Sequence, residues 1–356
     1  MRASVLEVNL NNFLHNVDRV QNYVGKDMNL MPVIKANGYG THINMCLDVL
    51  NKFEIVAVAL VDEAVNLRKI GYKKDIFVLN QPYSDEIDLI IENNITIGLS
   101  DLAFLEELGK REELVKVHIE IDTGMGRTGV VDLDKFILEL KRYSNVIVEG
   151  IYTHLSSADS DYEYTNKQLE LFEESVLLAR KKFNLKYIHS SASNGLLNFK
   201  TSCCNTIRPG IILYGYESYF GALDKIDLKP VCRLKSKITF LKEVEEGTSI
   251  SYSRSYITNK KTKVATIPMG YADGIRRCLS NKGSVVVNNT LVPIIGKVCM
   301  DSFMIDVTEV DVKVGDEVYL FDNELIKIED IANIYDSINY EVISTISDRV
   351  PRSFIK

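Results

Sequence analysis

A lysine stands where an apolar run meets a small-residue turn, in the segment VIKANGYGTH at residues 33–42. An amine at the buried end of a strand is unfavourable unless it is partnered or used in chemistry. We therefore predict that Lys35 carries a cofactor as a Schiff base, the alternative being a solvated lysine at a strand end. Gly38 and Gly40, on either side of Tyr39, allow the backbone to turn tightly beside a ligand.

Polar side chains recur where later apolar runs end. IDTGMGRTG carries Arg127 in a glycine-rich loop, and YTHLSSAD carries His154. HSSASNG supplies Ser193, and IRPGI supplies Arg208 and Gly210. An arginine, hydroxyl groups and backbone amides on one face would suit a phosphate and an aromatic ring. Taken singly, such a histidine is more often a structural hydrogen-bonding residue, and a glycine-rich loop is often only a turn.

Short apolar runs, several of them apolar on both faces, are typical of buried parallel strands. They occupy residues 30–35, 55–60, 75–80, 95–100, 115–122, 146–154, 187–193 and 206–215. Helical patterns such as DEAVNLRKIG lie between most of them. Eight strands alternating with helices predict an α/β fold, a (β/α)8 TIM-type barrel, with reactive residues at the carboxyl ends of the strands. A doubly wound open sheet is the alternative.

The rhythm changes after about residue 225. Runs such as TKVATIPMGY and GSVVVNNTLVPIIGKVCM are strands joined by short turns, and KIEDIANIYDSI is helical in pattern. We therefore predict a barrel domain that binds the cofactor at residues 1–225 and a C-terminal, mainly antiparallel β domain at residues 226–356.

Composition limits the choice of partners and compartment. The net charge of −7 argues against nucleic acid as the main partner. No apolar run reaches the roughly 20 residues of a membrane span, and the start of the chain lacks a signal-peptide pattern, so we expect a cytoplasmic protein. The six cysteines show no paired metal-ligand spacing, so we expect reduced thiols and no metal site.

Eight motifs together resemble the alanine racemase family. They are VIKANGYGTH, IDTGMGRTG, YTHLSSAD, IRPGIILYG, ISYSRSY, IPMGYADG, GKVCMDSFMIDV and SDRVPR, in the family's order. Each is weak alone, whereas the ordered set is specific and covers nearly the whole chain. The resemblance implies a barrel with a C-terminal β domain and pyridoxal 5'-phosphate on Lys35. It also implies interconversion of L-alanine and D-alanine by two-base α-proton transfer, which supplies D-alanine for peptidoglycan.

The resemblance also implies roles for individual residues. Lys35 and Tyr252 are the two bases, and Tyr252 reaches the partner subunit's site in a homodimer with shared active sites. Arg208 faces the pyridine nitrogen and cannot readily protonate it, which favours reprotonation at the α-carbon. The other implied cofactor contacts are Tyr39, His154, Ser193, and the backbone amides of Gly210 and Ile211. The implied substrate contacts are Arg127, the backbone amide of Met300, and Tyr271, which narrows the entrance.

Two positions depart from the family pattern. The family often has a carbamylated lysine where this chain has Glu120. We hypothesise that the Glu120 carboxylate holds Arg127 without carbon dioxide, the alternative being a pair with another cation. Several members have a phosphate-binding tyrosine just before RVPR, where this chain has Asp348. Because a carboxylate repels a phosphate, we expect Asp348 to point elsewhere or to retune the pocket toward a polar substrate such as serine.

Three other functions are compatible with parts of this pattern. One is a racemase of the same fold that acts on serine or a basic amino acid. Another is a barrel-type amino-acid decarboxylase, which ISYSRSY and GYADG disfavour. The third is a pyridoxal phosphate-binding homeostasis protein, which would lack the strands predicted after residue 225.

Overall fold

The N-terminal segment runs from a strand directly into a helix. The computed structural model describes residues 3–218, 221–321 and 324–356. Strand β1 (Val5–Asn9) leads into helix α1 (Leu10–Val24). The side chain of Asn9 accepts a hydrogen bond from the amide of Asn12 at 2.9 Å. It thereby satisfies one of the amides that the first turn of a helix leaves unpaired.

Eight parallel strands form the barrel. They are β2 (Asn29–Leu30), β3 (Ile55–Val58), β4 (Asp75–Val78), β5 (Thr96–Leu99), β6 (Val115–Glu120), β7 (Val146–Tyr152), β8 (Tyr187–His189) and β9 (Thr206–Ile207). Strands β3 to β8 pair in chain order, and β2 pairs with β9. An isolated parallel β-bridge between Val33, which follows β2, and Ala57 joins the β2 segment to β3. The amide of Asn205 donates to the carbonyl of Ile188 in β8, so the ring closes.

Helices cover the outside of the barrel. They are α3 (Leu47–Leu50), α4 (Val61–Lys69), α5 (Ile87–Glu92), α6 (Leu102–Gly109), α7 (Leu133–Leu140), α8 (Tyr162–Arg180) and α9 (Ser193–Asn198), while α2 (Lys35–Tyr39) is a left-handed turn. Helix α7 shows why they pack there, because its buried residues recur three and four apart at Leu133, Phe136, Ile137 and Leu140. The predicted barrel is confirmed, and the open-sheet alternative is wrong.

The second region is a mostly antiparallel sheet. Its strands are β10 (Cys232–Lys237), β11 (Phe240–Val244), β14 (Thr262–Ile267), β15 (Ser284–Val287), β16 (Thr290–Ile295), β17 (Phe303–Asp306), β18 (Glu317–Phe321) and β19 (Arg352–Ile355). They join β1 in the order β11-β14-β17-β16-β15-β18-β10-β1-β19. A separate hairpin pairs β12 (Ser249–Ile250) with β13 (Tyr256–Ile257). Helices α10 (Ile328–Ile334) and α11 (Asn339–Ser344) follow β18.

Strand β1 lies in this second sheet. It pairs antiparallel with β10 and parallel with β19. Residues 5–9 therefore pair outside the barrel wall, although they lie within the range 1–225 predicted for the barrel domain. The pairing could not be read from the sequence, because an alternating strand of five residues can join either sheet. The boundary between residues 225 and 226 stays a prediction.

Two further findings concern the described ranges. Within them, no helix is both long enough and apolar enough to cross a membrane. None of the six cysteines forms a disulfide there.

Candidate active site

A cavity of about 220 Å³ opens at the carboxyl edge of the barrel. Parallel strands end on this edge, so side chains far apart in sequence meet there. The site residues predicted from sequence that line it are Lys35, Tyr39, Arg127, His154, Ser193, Arg208 and Gly210. The structure thus brings together seven of the residues singled out by motif. Leu79, Asn80, Asn194 and Tyr340 also line the cavity and were not predicted.

The lysine sits at the start of the left-handed turn α2. Ala36, Asn37 and Tyr39 adopt φ values of 52°, 53° and 55°, which non-glycine residues rarely do. Such backbone persists only where surrounding contacts hold it. The carboxylate of Glu63 supplies such contacts, because it accepts hydrogen bonds from the backbone amides of Ala36 at 2.5 Å and Ala59 at 2.8 Å. The turn is thereby tied to the end of β3.

The surroundings of Lys35 favour a neutral amine. Burial lowers the pKa of Lys35, and the positive charge of Arg127 lowers it further, while Glu63 opposes both. Desolvation and a neighbouring cation both disfavour the ammonium form. The Lys35 amine is therefore more available as a nucleophile or base near neutral pH than an exposed lysine.

Hydroxyl groups and a backbone amide surround Gly210 at one end of the cavity. The Gly210 amide donates to Oγ of Ser193 at 3.2 Å. A Cβ at Gly210 would lie 2.4 Å from the Tyr39 hydroxyl, so any side chain there would have to displace Tyr39. The Tyr39 ring packs against that of Tyr214, with centroids 4.9 Å apart. Ile211, the other residue predicted here, is buried and begins the short 3-10 turn Ile211–Tyr214.

The groups around Gly210 form a cradle of hydroxyls and backbone amides. Tyr340 completes this cradle, and the sequence did not predict its role there. Its hydroxyl interacts with the Ser193 side chain, and its ring centroid lies 6.1 Å from that of Tyr39. Helix α11 carries it to the cavity by packing against Gly40, where a Cβ would lie 2.6 Å from the carbonyl oxygen of Ile343. No spacing in the sequence signals this, because tertiary packing alone brings α11 to the barrel edge.

Asp348 lies away from the cradle. Its side chain is 75% exposed, and its Oδ1 pairs with Nε2 of His42 at 3.0 Å. Arg352 lies within 3.8 Å of the same oxygen. The carboxylate thus has its partners, Arg352 and the His42 ring, outside the cavity and is not among the residues that line it.

Arg208 is almost fully buried, at 1% exposure, and is held by several acceptors. Its Nη2 donates to the carbonyl oxygens of Thr153 at 2.7 Å and Ser190 at 3.1 Å, and Nδ1 of His154 lies 3.4 Å away. Its Nη1 donates to Nδ1 and the carbonyl oxygen of His189. Burial lowers the pKa of Arg208 to about 10, which still leaves a cation at neutral pH.

Three histidines around Arg208 are held neutral. Burial, followed by the charge of Arg208, lowers the pKa of His154 and of His118 to about 3 and lowers that of His189 as well. Because arginine only donates, Nδ1 of His189 must accept, and its Nε2–H then donates to Nδ1 of His118 at 2.8 Å. Arg208 therefore fixes the tautomers of this chain of rings.

Glu120 is buried at the end of barrel strand β6, within range of the charge of Arg127. Burial raises the pKa of this carboxyl group, while the hydroxyls of Thr128 and Tyr152 and the charges of Arg127 and Arg208 lower it. No ion pair joins Glu120 to Arg127 among the described residues, so the two interact through charge alone. The hypothesis that Glu120 holds Arg127 stays a prediction.

The remaining predicted residues lie on the second region, outside the cavity. Tyr252, Tyr271 and Met300 are 68%, 43% and 52% exposed. Tyr252 and Met300 line a shallow surface depression together with Ser251 and Asp301. The Tyr271 amide donates to the carbonyl oxygen of Cys299, which places Tyr271 beside that depression. One chain therefore holds two separate groups of predicted site residues.

A closed barrel with a lysine of lowered pKa at its carboxyl edge, followed by an antiparallel β region, defines a two-part barrel enzyme. Family models refine this class. The model described as "Alanine racemase, N-terminal domain" matches residues 8–218, and "Alanine racemase, C-terminal domain" matches residues 231–354. The chain belongs to the alanine racemase family.

Individual relatives agree over the full length. The alanine racemase of Halothermothrix orenii is 40% identical over 368 residues, covering 99% of this chain and 97% of the relative. The structure of Clostridium difficile 630 alanine racemase in complex with cycloserine has a TM-score of 0.93 at 31% identity, covering 100% of this chain and 96% of that one. The Bacillus anthracis alanine racemase with bound L-Ala-P has a TM-score of 0.94 at 32% identity, with the same coverage.

Proposed function

We propose that this protein is an isomerase that interconverts L-alanine and D-alanine. The main support is the cavity lined by Lys35, Arg208 and the hydroxyl groups of Tyr39, Ser193 and Tyr340. The chain that contains it matches alanine racemases along its length. An α-proton is a very weak acid, so its removal requires an electron sink. Pyridoxal 5'-phosphate, when bound, supplies that sink. The residues of the chain bind it, orient it and move the proton.

The residues around Gly210 fit a phosphorylated aromatic cofactor. Ser193, Tyr39 and Tyr340 offer hydroxyl groups, and Ile211 offers a backbone amide, which suit phosphate oxygens. The Gly210 amide, which donates to Ser193 here, would turn to a phosphate oxygen when the cofactor is bound. The absence of a Cβ at Gly210 leaves the approach beside the Tyr39 hydroxyl open. Arg208 and His154 would lie along the ring, and Lys35 would hold the cofactor covalently. Arg208 stays charged and donates to fixed acceptors, so it is a poor proton donor to a ring nitrogen.

Lys35 is the proposed base on one face of the α-carbon. Its lowered pKa leaves more of the neutral amine at working pH, which is the form that accepts a proton. The Arg127 guanidinium that contributes to this shift also suits a substrate carboxylate. Glu120, close enough to act on Arg127 through charge, would steady that guanidinium.

Tyr252 is the proposed base on the other face, and it is supplied by a second copy of the chain. It does not line the cavity that holds Lys35, and it is exposed beside Met300. A homodimer would place this surface over the partner's cavity, so that the Met300 amide meets the substrate carboxylate. Tyr271 would then narrow the entrance and favour a small side chain. In this arrangement each site needs both subunits.

The biological role we propose is to supply D-alanine for peptidoglycan in the cytoplasm. The relatives that carry this inference are named as alanine racemases, and none of those cited is named for serine or a basic amino acid. The exposed position of Asp348 removes the sequence-based reason for expecting a retuned pocket.

A substrate panel tests this function. The full-length protein loaded with pyridoxal phosphate is incubated with L-alanine, L-serine, L-lysine and L-arginine, and the enantiomers are resolved by chiral chromatography. We expect alanine to racemise fastest. Faster racemisation of serine or a basic amino acid would overturn the substrate assignment. The absence of racemisation in protein that shows the visible absorbance of lysine-bound cofactor would overturn the reaction.

A further inference from the structure

Two adjacent cysteines, Cys203 and Cys204, precede strand β9 and have no part in the proposed reaction. Their sulfur atoms lie 3.9 Å apart. Cys203 is buried and Cys204 is partly exposed. The pair therefore forms a vicinal dithiol that small reagents can approach through Cys204.

The surroundings of Cys204 favour its thiolate. Its Sγ lies 3.4 Å from Oγ of Ser190. The hydrogen bond from Cys203, assisted by the hydroxyls of Ser190 and Thr201, lowers the pKa of the Cys204 thiol against the opposing effect of burial. The thiolate is the form of cysteine that reacts with oxidants. Cys203, whose pKa is raised, stays a thiol beside it and is placed to act as the resolving group.

Ser190 connects the dithiol to the active-site arginine. Its hydroxyl contacts Cys204, and its carbonyl oxygen accepts from Nη2 of Arg208 at 3.1 Å. The negative charge of Cys204 also acts on Arg208 directly. A change in the position or charge of the Cys204 sulfur would therefore alter the hydrogen bonding and the electrostatic surroundings of the Arg208 guanidinium.

A disulfide between neighbouring residues is strained by construction. The peptide bond fixes adjacent Cα atoms about 3.8 Å apart, whereas disulfides ordinarily need about 4.4–6.8 Å. Strained disulfides are the more easily reduced ones, which suits a reversible modification over a permanent crosslink.

We propose that Cys203 and Cys204 form a peroxide-reactive site that closes reversibly to a disulfide and weakens the hold of Ser190 on Arg208. The Cys204 thiolate attacks one oxygen of hydrogen peroxide and becomes a sulfenic acid as hydroxide leaves. The Cys203 sulfur then attacks the Cys204 sulfur, and the S–S bond forms with loss of water. Two thiols are oxidised and one peroxide is reduced to two waters; a dithiol reductant reverses the change.

The first experiment follows the thiols in the full-length, cofactor-loaded protein. Hydrogen peroxide is added, and non-reducing peptide mapping locates the oxidised sulfurs. We expect a disulfide within the peptide that holds both cysteines, reversed by dithiothreitol and absent in Cys203→Ser, Cys203→Ala and Cys204→Ser. Cys278→Ser, at an exposed cysteine, should behave as wild type. Oxidation at Cys278 alone, or no change at Cys203 and Cys204, would overturn the site.

The second readout follows the link to Arg208 and rests on the proposed function. Loss of one hydrogen bond to the guanidinium predicts a fall in alanine racemisation of about fivefold on closure. Dithiothreitol should restore the rate, and peroxide should leave the rate of Cys204→Ser unchanged, because that variant lacks the attacking thiolate. An unchanged rate in fully closed protein would overturn the link. Because the thiols are mapped independently of turnover, failure of the racemase assignment is distinguishable from failure of the dithiol.

Discussion

Lys35 and Tyr252, the two proposed bases, occupy opposite surroundings. Lys35 is half-buried in a turn that Glu63 holds in place. It lines the same cavity as Arg208, which donates hydrogen bonds to several acceptors. Tyr252 is 68% exposed, in a 3-10 turn that lines only a shallow depression. The barrel therefore builds its half of the site within one chain, while the β region presents its half to the surface.

The exposure of Tyr252 indicates where a second copy of the chain would be needed. Exposed apolar and aromatic side chains grouped on one surface mark interaction sites more often than scattered ones do. Tyr252, Tyr271 and Met300 form such a group, and the family resemblance predicts a role in the active site for all three. A partner that brings this surface to the cavity would give Tyr252 the desolvated, cation-rich surroundings that Lys35 already has.

The largest effect is expected at the barrel base. Lys35→Ala should lower alanine racemisation about a thousandfold or more, because both the covalent anchor and one base are lost. The visible absorbance of lysine-bound cofactor should disappear with it. Lys181→Ala, at an exposed lysine after α8, is the control and should match wild type. A Lys35→Ala protein that keeps its rate and absorbance would contradict the assignment.

Tyr252→Phe should lower the rate about 100-fold through loss of the second base. The sharper test mixes Lys35→Ala with Tyr252→Phe and allows subunits to exchange. Each mixed dimer then has one intact site, so about a quarter of the wild-type rate should return.

The control for that mixture combines Lys35→Ala with Lys35→Arg, whose lesions fall in the same half of the site. No activity should return there. If differently tagged subunits co-purify from the first mixture and activity is still absent, both bases belong to one chain and the comparison above is wrong.

A smaller effect is expected in the cradle. Gly210→Ala places a methyl group against the Tyr39 hydroxyl, and an overpacking cost near the lower end of the usual range, about 1.4 kcal/mol, corresponds to about a tenfold rise in the Kd of pyridoxal phosphate. An absorbance titration measures it. In the Tyr39→Phe background the same change should cost much less, because the clashing oxygen is gone. Strictly additive effects would show that the Tyr39 hydroxyl is not what excludes a side chain at Gly210.

The smallest effect is expected at Glu120. Glu120→Gln removes a charge that acts on Arg127 without an ion pair, so the KM for alanine should rise about threefold with kcat nearly unchanged. Steady-state kinetics in both directions measure this. Glu170→Gln, at an exposed position on α8, is the matched control. An unchanged KM would remove Glu120 from substrate binding.

The barrel and most of its edge residues were predictable from sequence. Buried parallel strands are recognisable as short apolar runs at regular intervals. Lys35, His154 and Arg208 follow the ends of such strands, and the barrel fold brings those ends together at one edge. Tyr340 was not predictable, because its helix reaches the cavity only by packing on Gly40. The same holds for β1, whose five residues could have paired in either sheet.

The eight-strand barrel, the β region and the family can be inferred from the amino-acid sequence, because they depend on local periodicity and on ordered motifs. Three other properties depend on the tertiary structure. The pKa of Lys35 is lowered, burial and the charge of Arg208 keep three histidines neutral, and Tyr252 lies outside the cavity. Burial, charge proximity and packing are sums over residues distant in the chain. They become defined only when the strands have met.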